Sequence, residues 1–106
     1  MLFQALLEQQ ALELAMVLAL EPRVVLLDEP TAGMTGAETL ATAALVRRLA
    51  QESGTAVVVV EHDMRFVQAL EARVVVMLAG RVVADGRFDE VRHLPQVRDA
   101  YLGAHA

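Results

Sequence analysis

Cysteine is absent from the 106 residues, which excludes a disulfide framework and any thiolate metal site. Lysine is absent too: all nine basic residues are arginine, so a phosphate-wrapping loop ending in Gly-Lys-Ser/Thr cannot lie in this sequence. There is no tryptophan, and aromatics make up only 4%, so a core must be built from Leu, Val and Ala. Basic charge is scarce. The net charge of −5 argues against nucleic acid as the main partner, because phosphate binding wants a basic face. No apolar run reaches the roughly 18–20 residues a bilayer requires. Glu13, Glu21, Arg23, Asp28 and Glu29 interrupt the longest one. Met1 to Leu7 carries no basic segment and does not read as a secretory signal.

Hydrophobic residues, by contrast, are abundant at 56%, above the usual level of about 45–50%, so much of the chain expects burial. The length suits one domain with a real core and is too short for two domains. From Ala5 to Leu20 the pattern is helical, and Leu14 to Leu20 is apolar all round, which predicts a helix with a fully buried second half that stops at Pro22. Val24-Val25-Leu26-Leu27 is a short, continuous apolar run that predicts a central parallel strand covered on both faces. Thr35-Gly36-Ala37-Glu38 has capping-box spacing, with Leu45 and Leu49 on one face of the helix it opens and Gly54 as its C-cap. A second buried strand is expected over Ala56–Val60, followed by a short helix capped by Asp63 and running to Leu70. Arg73–Leu78 and Arg81–Ala84 flank Ala79-Gly80 as a hairpin, and Asp89 to Gly103 predicts short surface helices. Strand–helix–strand–helix alternation indicates an α/β fold with parallel strands, closed by an antiparallel hairpin.

The chemistry sits at the ends of the two parallel strands. Ligands of open α/β sheets bind just beyond the carboxyl ends of the strands. Asp28, at such an end, can hold Mg²⁺ directly or through water, and Glu29 can orient and polarise an attacking water. An isolated Asp-Glu pair is ordinarily no more than the solvated end of a strand, and a lone histidine there ordinarily points at solvent. Here the second strand ends in Glu61-His62-Asp63, so His62 could reach a γ-phosphate across the same sheet edge. The two together outweigh the plain reading of either. His93 and His105 read as surface residues without a role.

Val24-Val25-Leu26-Leu27-Asp28-Glu29-Pro30-Thr31 resembles the Walker B segment of ABC ATPases, and Val60-Glu61-His62-Asp63 resembles their switch histidine. Ala79 to Gly86 is similar to the hairpin that follows in that family. The resemblance therefore covers nearly the whole chain. It implies the C-terminal part of a P-loop NTPase domain, with ATP and Mg²⁺ as cofactors. Asp28 would bind Mg²⁺ through water, Glu29 would be the general base, and His62 would contact the γ-phosphate. Ala32-Gly33-Met34-Thr35 falls at the D-loop, and its Ala-Gly form is similar to ATP-binding subunits of branched-chain amino acid and urea importers. Val97 to Gly103 resembles their tail, and Gly-Met-Thr leans toward the urea type. Glu8-Gln9-Gln10 resembles the end of the signature segment, although Gln4-Ala5-Leu6-Leu7 lacks its serine and glycine. Glu8, Gly33, Met34 and Thr35 are thereby implied as nucleotide-contacting positions.

On that resemblance residues 1–106 form a partial nucleotide-binding domain without the Gly-Lys-Ser/Thr loop or the glutamine loop, inactive alone. The partners implied are a second ATP-binding subunit, arranged head to tail, and transmembrane permease subunits. The place implied is the cytoplasmic face of the membrane. Two other readings compete: a non-catalytic module that docks on an intact ABC ATPase, and half of a DNA-repair or chromosome-organising ATPase. The acidic charge, the short hairpin and the lack of a coiled-coil insertion weigh against the last.

Overall fold

The computed structural model describes residues 2–102, which divide after Leu70 into two compact units. In the first, the order is α1 (Leu2–Leu18), β1 (Val24–Asp28), α2 (Gly36–Ser53), β2 (Ala56–Val60) and α3 (Met64–Leu70). β1 and β2 pair in parallel with Val24 opposite Ala56 and Asp28 opposite Val60, and α2 makes the crossover between them.

Local chemistry explains the boundaries. Thr35 is extended, and its hydroxyl accepts from the Glu38 N–H while the Glu38 carboxylate accepts from the Thr35 N–H, the predicted capping box. At the other end Gly54 adopts φ 72° and its N–H returns to the Ala50 carbonyl, a left-handed closure that costs glycine no Cβ clash. Asp63 caps α3 through Oδ1, which accepts from the N–H groups of Arg65 and Phe66. α1 ends at Leu18, before Pro22 is reached. Its last turn tightens through Leu20 N–H to Val17 carbonyl and Glu21 N–H to Leu18 carbonyl, and Glu21 is left-handed at φ 54°.

The core of this unit joins Leu14, Val25, Ala43, Val46 and Phe66, with Leu27, Val57 and Val59 packed against it. Two expectations fail here. The strands are covered on one face only. Val25, Leu27, Val57 and Val59 turn inward, whereas Val24, Leu26, Val58 and Val60 lie on the opposite face and are exposed, Leu26 at 74%. A strand alternates its side chains, so a continuous apolar run needs a second covering layer, and these residues supply only one. Nor is the second half of α1 buried all round. Leu14 is, while Met16, Val17 and Leu20 are exposed, because helix and sheet share a single contact stripe. A cleft of about 330 Å³ opens along that flank, lined by Gln10, Leu14, Val17, Leu26 and Leu45 among others.

The second unit is the expected hairpin, β3 (Arg73–Leu78) and β4 (Arg81–Arg87), with β4 three residues longer than the pattern suggested. Ala79 and Gly80 both have positive φ, 49° and 78°, as a two-residue hairpin turn with the right twist demands. The register shifts between Val76 and Met77. Arg73 clamps Asp85 through Nε at 2.7 Å and Nη2 at 2.5 Å. α4 (Phe88–Val91), α5 (Pro95–Val97) and a π-helical turn (Arg98–Leu102) follow, burying Val91 and Val97 against Val76 and Ala84. The Tyr101 hydroxyl donates to the Met77 carbonyl. These are the predicted short helices. His93 is exposed, while Gly103 and His105 lie outside the described residues. Among the described residues no helix is long and apolar enough to cross a membrane.

Candidate functional site

β1 and β2 run side by side, so their carboxyl ends emerge together. Asp28 is the last residue of β1, opposite Val60, and it is exposed. The chain then turns sharply. Glu29 takes a left-handed conformation, φ 46°, while its N–H still donates to the Val60 carbonyl at 2.8 Å. A non-glycine residue held there is a strained position kept by its surroundings. The turn throws the Glu29 side chain toward the end of β2. His62 Nδ1 lies 3.5 Å from Glu29 Oε1 and 3.4 Å from Glu61 Oε1, ion-pairing distances once the imidazole is protonated. Asp28, Glu29 and His62 thus share one edge of the sheet, as the sequence suggested, and the Glu29 and His62 side chains meet.

The residue that sequence reasoning passed over is Glu61. Its side chain is 1% exposed. Oε2 accepts from the Thr31 hydroxyl at 2.6 Å and the Thr31 N–H at 3.2 Å. Oε1 accepts from the N–H groups of His62, at 3.0 Å, and Asp63, at 3.4 Å. Burial pushes this carboxyl up, but the Thr31 hydroxyl and the N–H groups of His62, Thr31 and Asp63 outweigh it and hold it below the ordinary 4.5. No periodicity or motif spacing announces such a partner thirty positions away. The only available signal was that Glu61 stands inside the Val-Glu-His-Asp segment while Thr31, itself buried, closes the Asp-Glu-Pro-Thr segment.

The other proposed positions are held in local structure. Gly33, φ 76°, turns the loop between β1 and α2, with the Met34 N–H donating to the Thr31 carbonyl. Met34 Sδ packs against the Thr42 hydroxyl at 3.4 Å and Gln10 Nε2 at 4.0 Å, and Thr42 also donates to Gln10 Oε1. The Thr35 hydroxyl is occupied as the α2 cap. Gly36 lets Arg65 cross the start of α2, since a Cβ there would stand 2.5 Å from Nη1. Glu8 is exposed on α1, two positions before Gln10. Among the described residues no cluster of three or more His, Asp or Glu could cage a metal. A Mg²⁺ held by one carboxylate, with nucleotide phosphates and waters as its other ligands, needs no such cage, and Asp28 fits that part.

No protein-family model matches the sequence. Individual relatives do. The high-affinity branched-chain amino acid transport ATP-binding protein BraF of Pseudomonas aeruginosa is 38% identical over 96 residues, 91% of this chain and 38% of that protein. LivG of Escherichia coli K12, with the same description, is 34% identical over the same share of each. The energy-coupling factor transporter ATP-binding protein EcfA2 of Clostridium perfringens is 38% identical over 84 residues, 79% of this chain and 30% of that protein. Across its aligned residues the chain is similar to these transport ATP-binding proteins, and it spans 38% of the length of BraF and LivG.

Proposed function

We propose that the chain is the Walker B-to-switch part of an ATP-hydrolysing subunit of an ABC importer for branched-chain amino acids. The observation that carries this is the meeting of Glu29 and His62 at 3.5 Å, beside Asp28, at the carboxyl end of a parallel sheet. The importer side of the reading draws on the names of BraF and LivG. Urea as the solute has only the Gly33-Met34-Thr35 resemblance behind it.

Magnesium, if bound with ATP, would supply positive charge that offsets the negative charge building up on the phosphates during transfer. Asp28 is the carboxylate that would hold it, directly or through water. Glu29, left-handed and exposed, is free to accept a proton from a water aligned on the γ-phosphate, giving ADP and inorganic phosphate. His62 Nδ1 lies against the Glu29 and Glu61 carboxylates, so a ring protonated on both nitrogens would donate to a γ-phosphate oxygen through the other one. Glu8, Gly33, Met34 and Thr35 would face the nucleotide held by a second subunit in a head-to-tail pair.

The phosphate-wrapping loop has to come from outside these 106 residues, and the chain by itself is expected to turn over no ATP. The bare face of Val24, Leu26, Val58 and Val60 is where further domain residues would pack. Transmembrane permease subunits are the remaining partners, with the ATPase on the cytoplasmic side. The test is leucine uptake in a Pseudomonas strain whose BraF is replaced by a chimera carrying these residues at their aligned positions. Uptake should return and be lost again with Glu29→Gln. A chimera that accumulates normally and hydrolyses ATP without restoring uptake would contradict the importer assignment.

A further inference from the structure

The strand ends could be joined by nothing more than the β1–β2 ladder, which stops at Asp28 and Val60, with one further bond from the Glu29 N–H. Beyond it lie two turns, residues 29–35 and 61–63, and each carries one of the side chains that must act together. One buried side chain spans them. Glu61 leaves β2, and both of its oxygens are filled: Oε2 by two donors of Thr31 in the first turn, Oε1 by two N–H groups of the second. A carboxylate is the only side chain of this shape that accepts on both oxygens. The Thr31 hydroxyl bond, at 2.6 Å to an ionised acceptor, is of the strong kind. Glu61 also lies 3.4 Å from His62 Nδ1, so it touches the ring it positions.

We propose that Glu61 is a positioning residue, a buried latch that ties Thr31 to the 61–63 turn so that Glu29 and His62 hold their mutual geometry as one unit. The importance of that geometry for hydrolysis rests on the proposed function, but the latch itself does not. Glu29 is two positions from Thr31 and sits in a left-handed conformation that its own preference would abandon. The latch is what makes that turn persist when the ladder below it ends. Replacing Glu61 by Gln keeps the volume but leaves one acceptor oxygen where two are needed, setting an NH₂ group against a pair of donors.

The experiment is residue-resolved amide exchange and ring-to-side-chain proximity by NMR on the full chain, for wild type and for Glu61→Gln, Thr31→Val and Thr31→Ser. Glu61→Gln and Thr31→Val should speed exchange at Thr31, His62 and Asp63 by about tenfold to a hundredfold, the range expected for a lost hydrogen bond to a charged group. Exchange at Val25 and Val57 should stay within about threefold, since core strands open with the whole unit. The contact between the His62 ring and Glu29 should be lost in the same two variants. Thr31→Ser, which keeps the hydroxyl, should restore both readouts. An equal rise at every amide would make Glu61 a merely structural residue and overturn the proposal. So would a His62–Glu29 contact that survives Glu61→Gln. Absence of ATP hydrolysis in any assembly would count against the function and leave these readouts untouched.

Discussion

Phe66 is the largest fully buried side chain in the first unit, and its replacement by Ala gives the sharpest test of how that unit is held. It is 0% exposed and joins the cluster of Leu14, Val25, Ala43 and Val46, so it is the main anchor of α3, with Ala69 and Leu70 packed beside it. Deleting such a ring costs about 3–5 kcal/mol, the lost transfer energy plus the cavity left behind. A unit of 70 residues has a total stability of about 3.5–10 kcal/mol at roughly 0.05–0.15 kcal/mol per residue. Phe66→Ala should therefore remove about a third of it or more. Val60→Thr, nearly isosteric and 59% exposed, should change stability by no more than about 0.5 kcal/mol. Urea unfolding followed by far-UV circular dichroism at low micromolar concentration measures both. Since α3 begins at Met64, directly after its Asp63 cap, the ring's loss should also loosen the 61–63 turn. A cost below about 1 kcal/mol for Phe66→Ala, or equal costs for the two substitutions, would refute the assignment of the core to this face.

Three further outcomes are expected. Thr35→Ala breaks the capping box and should lower stability by about 1 kcal/mol, read from the same urea curves. Glu61 has a folded-state carboxyl held below 4.5, so its contribution is fully present above that value and is lost as pH falls through the lower folded-state value. Stability measured between pH 6 and 3 should fall below about 4.5, less steeply in Glu61→Gln. Leu26→Gln acts on a side chain that is 74% exposed on the bare sheet face. It should reduce concentration-dependent self-association in sizing experiments while leaving the unfolding midpoint nearly unchanged.

Much of the fold was legible because its signals are local. Thr35 and Glu38 announced the start of α2, Gly54 its end, Asp63 the start of α3 and Ala79-Gly80 the hairpin turn, since caps and turns are decided within a few residues. Burial was not legible in the same way. Val24 and Leu26 are as apolar as Val25 and Leu27, and nothing in the run says that only alternate residues will be covered by this chain. Of the site, the strand-end position of Asp28, Glu29 and His62 followed from motif and topology. The Glu61 latch did not, because its partner Thr31 is selected by the three-dimensional approach of two turns. The left-handed Glu29 escaped notice for a related reason: glutamate has no preference for that conformation, which is imposed by the bond to Val60 and the turn beyond.

The most direct measurement of the central claim is Mg²⁺-dependent ATP hydrolysis by the purified BraF chimera, set beside its Glu29→Gln variant and this chain alone. The chimera should turn over ATP, the variant should be slower by about a hundredfold or more, and the isolated chain should show no turnover. Hydrolysis by the chimera that is unchanged in Glu29→Gln would contradict the assignment of Glu29. Steady turnover by the isolated chain that vanishes in its own Glu29→Gln variant would contradict the claim that the phosphate-binding part of the site lies elsewhere.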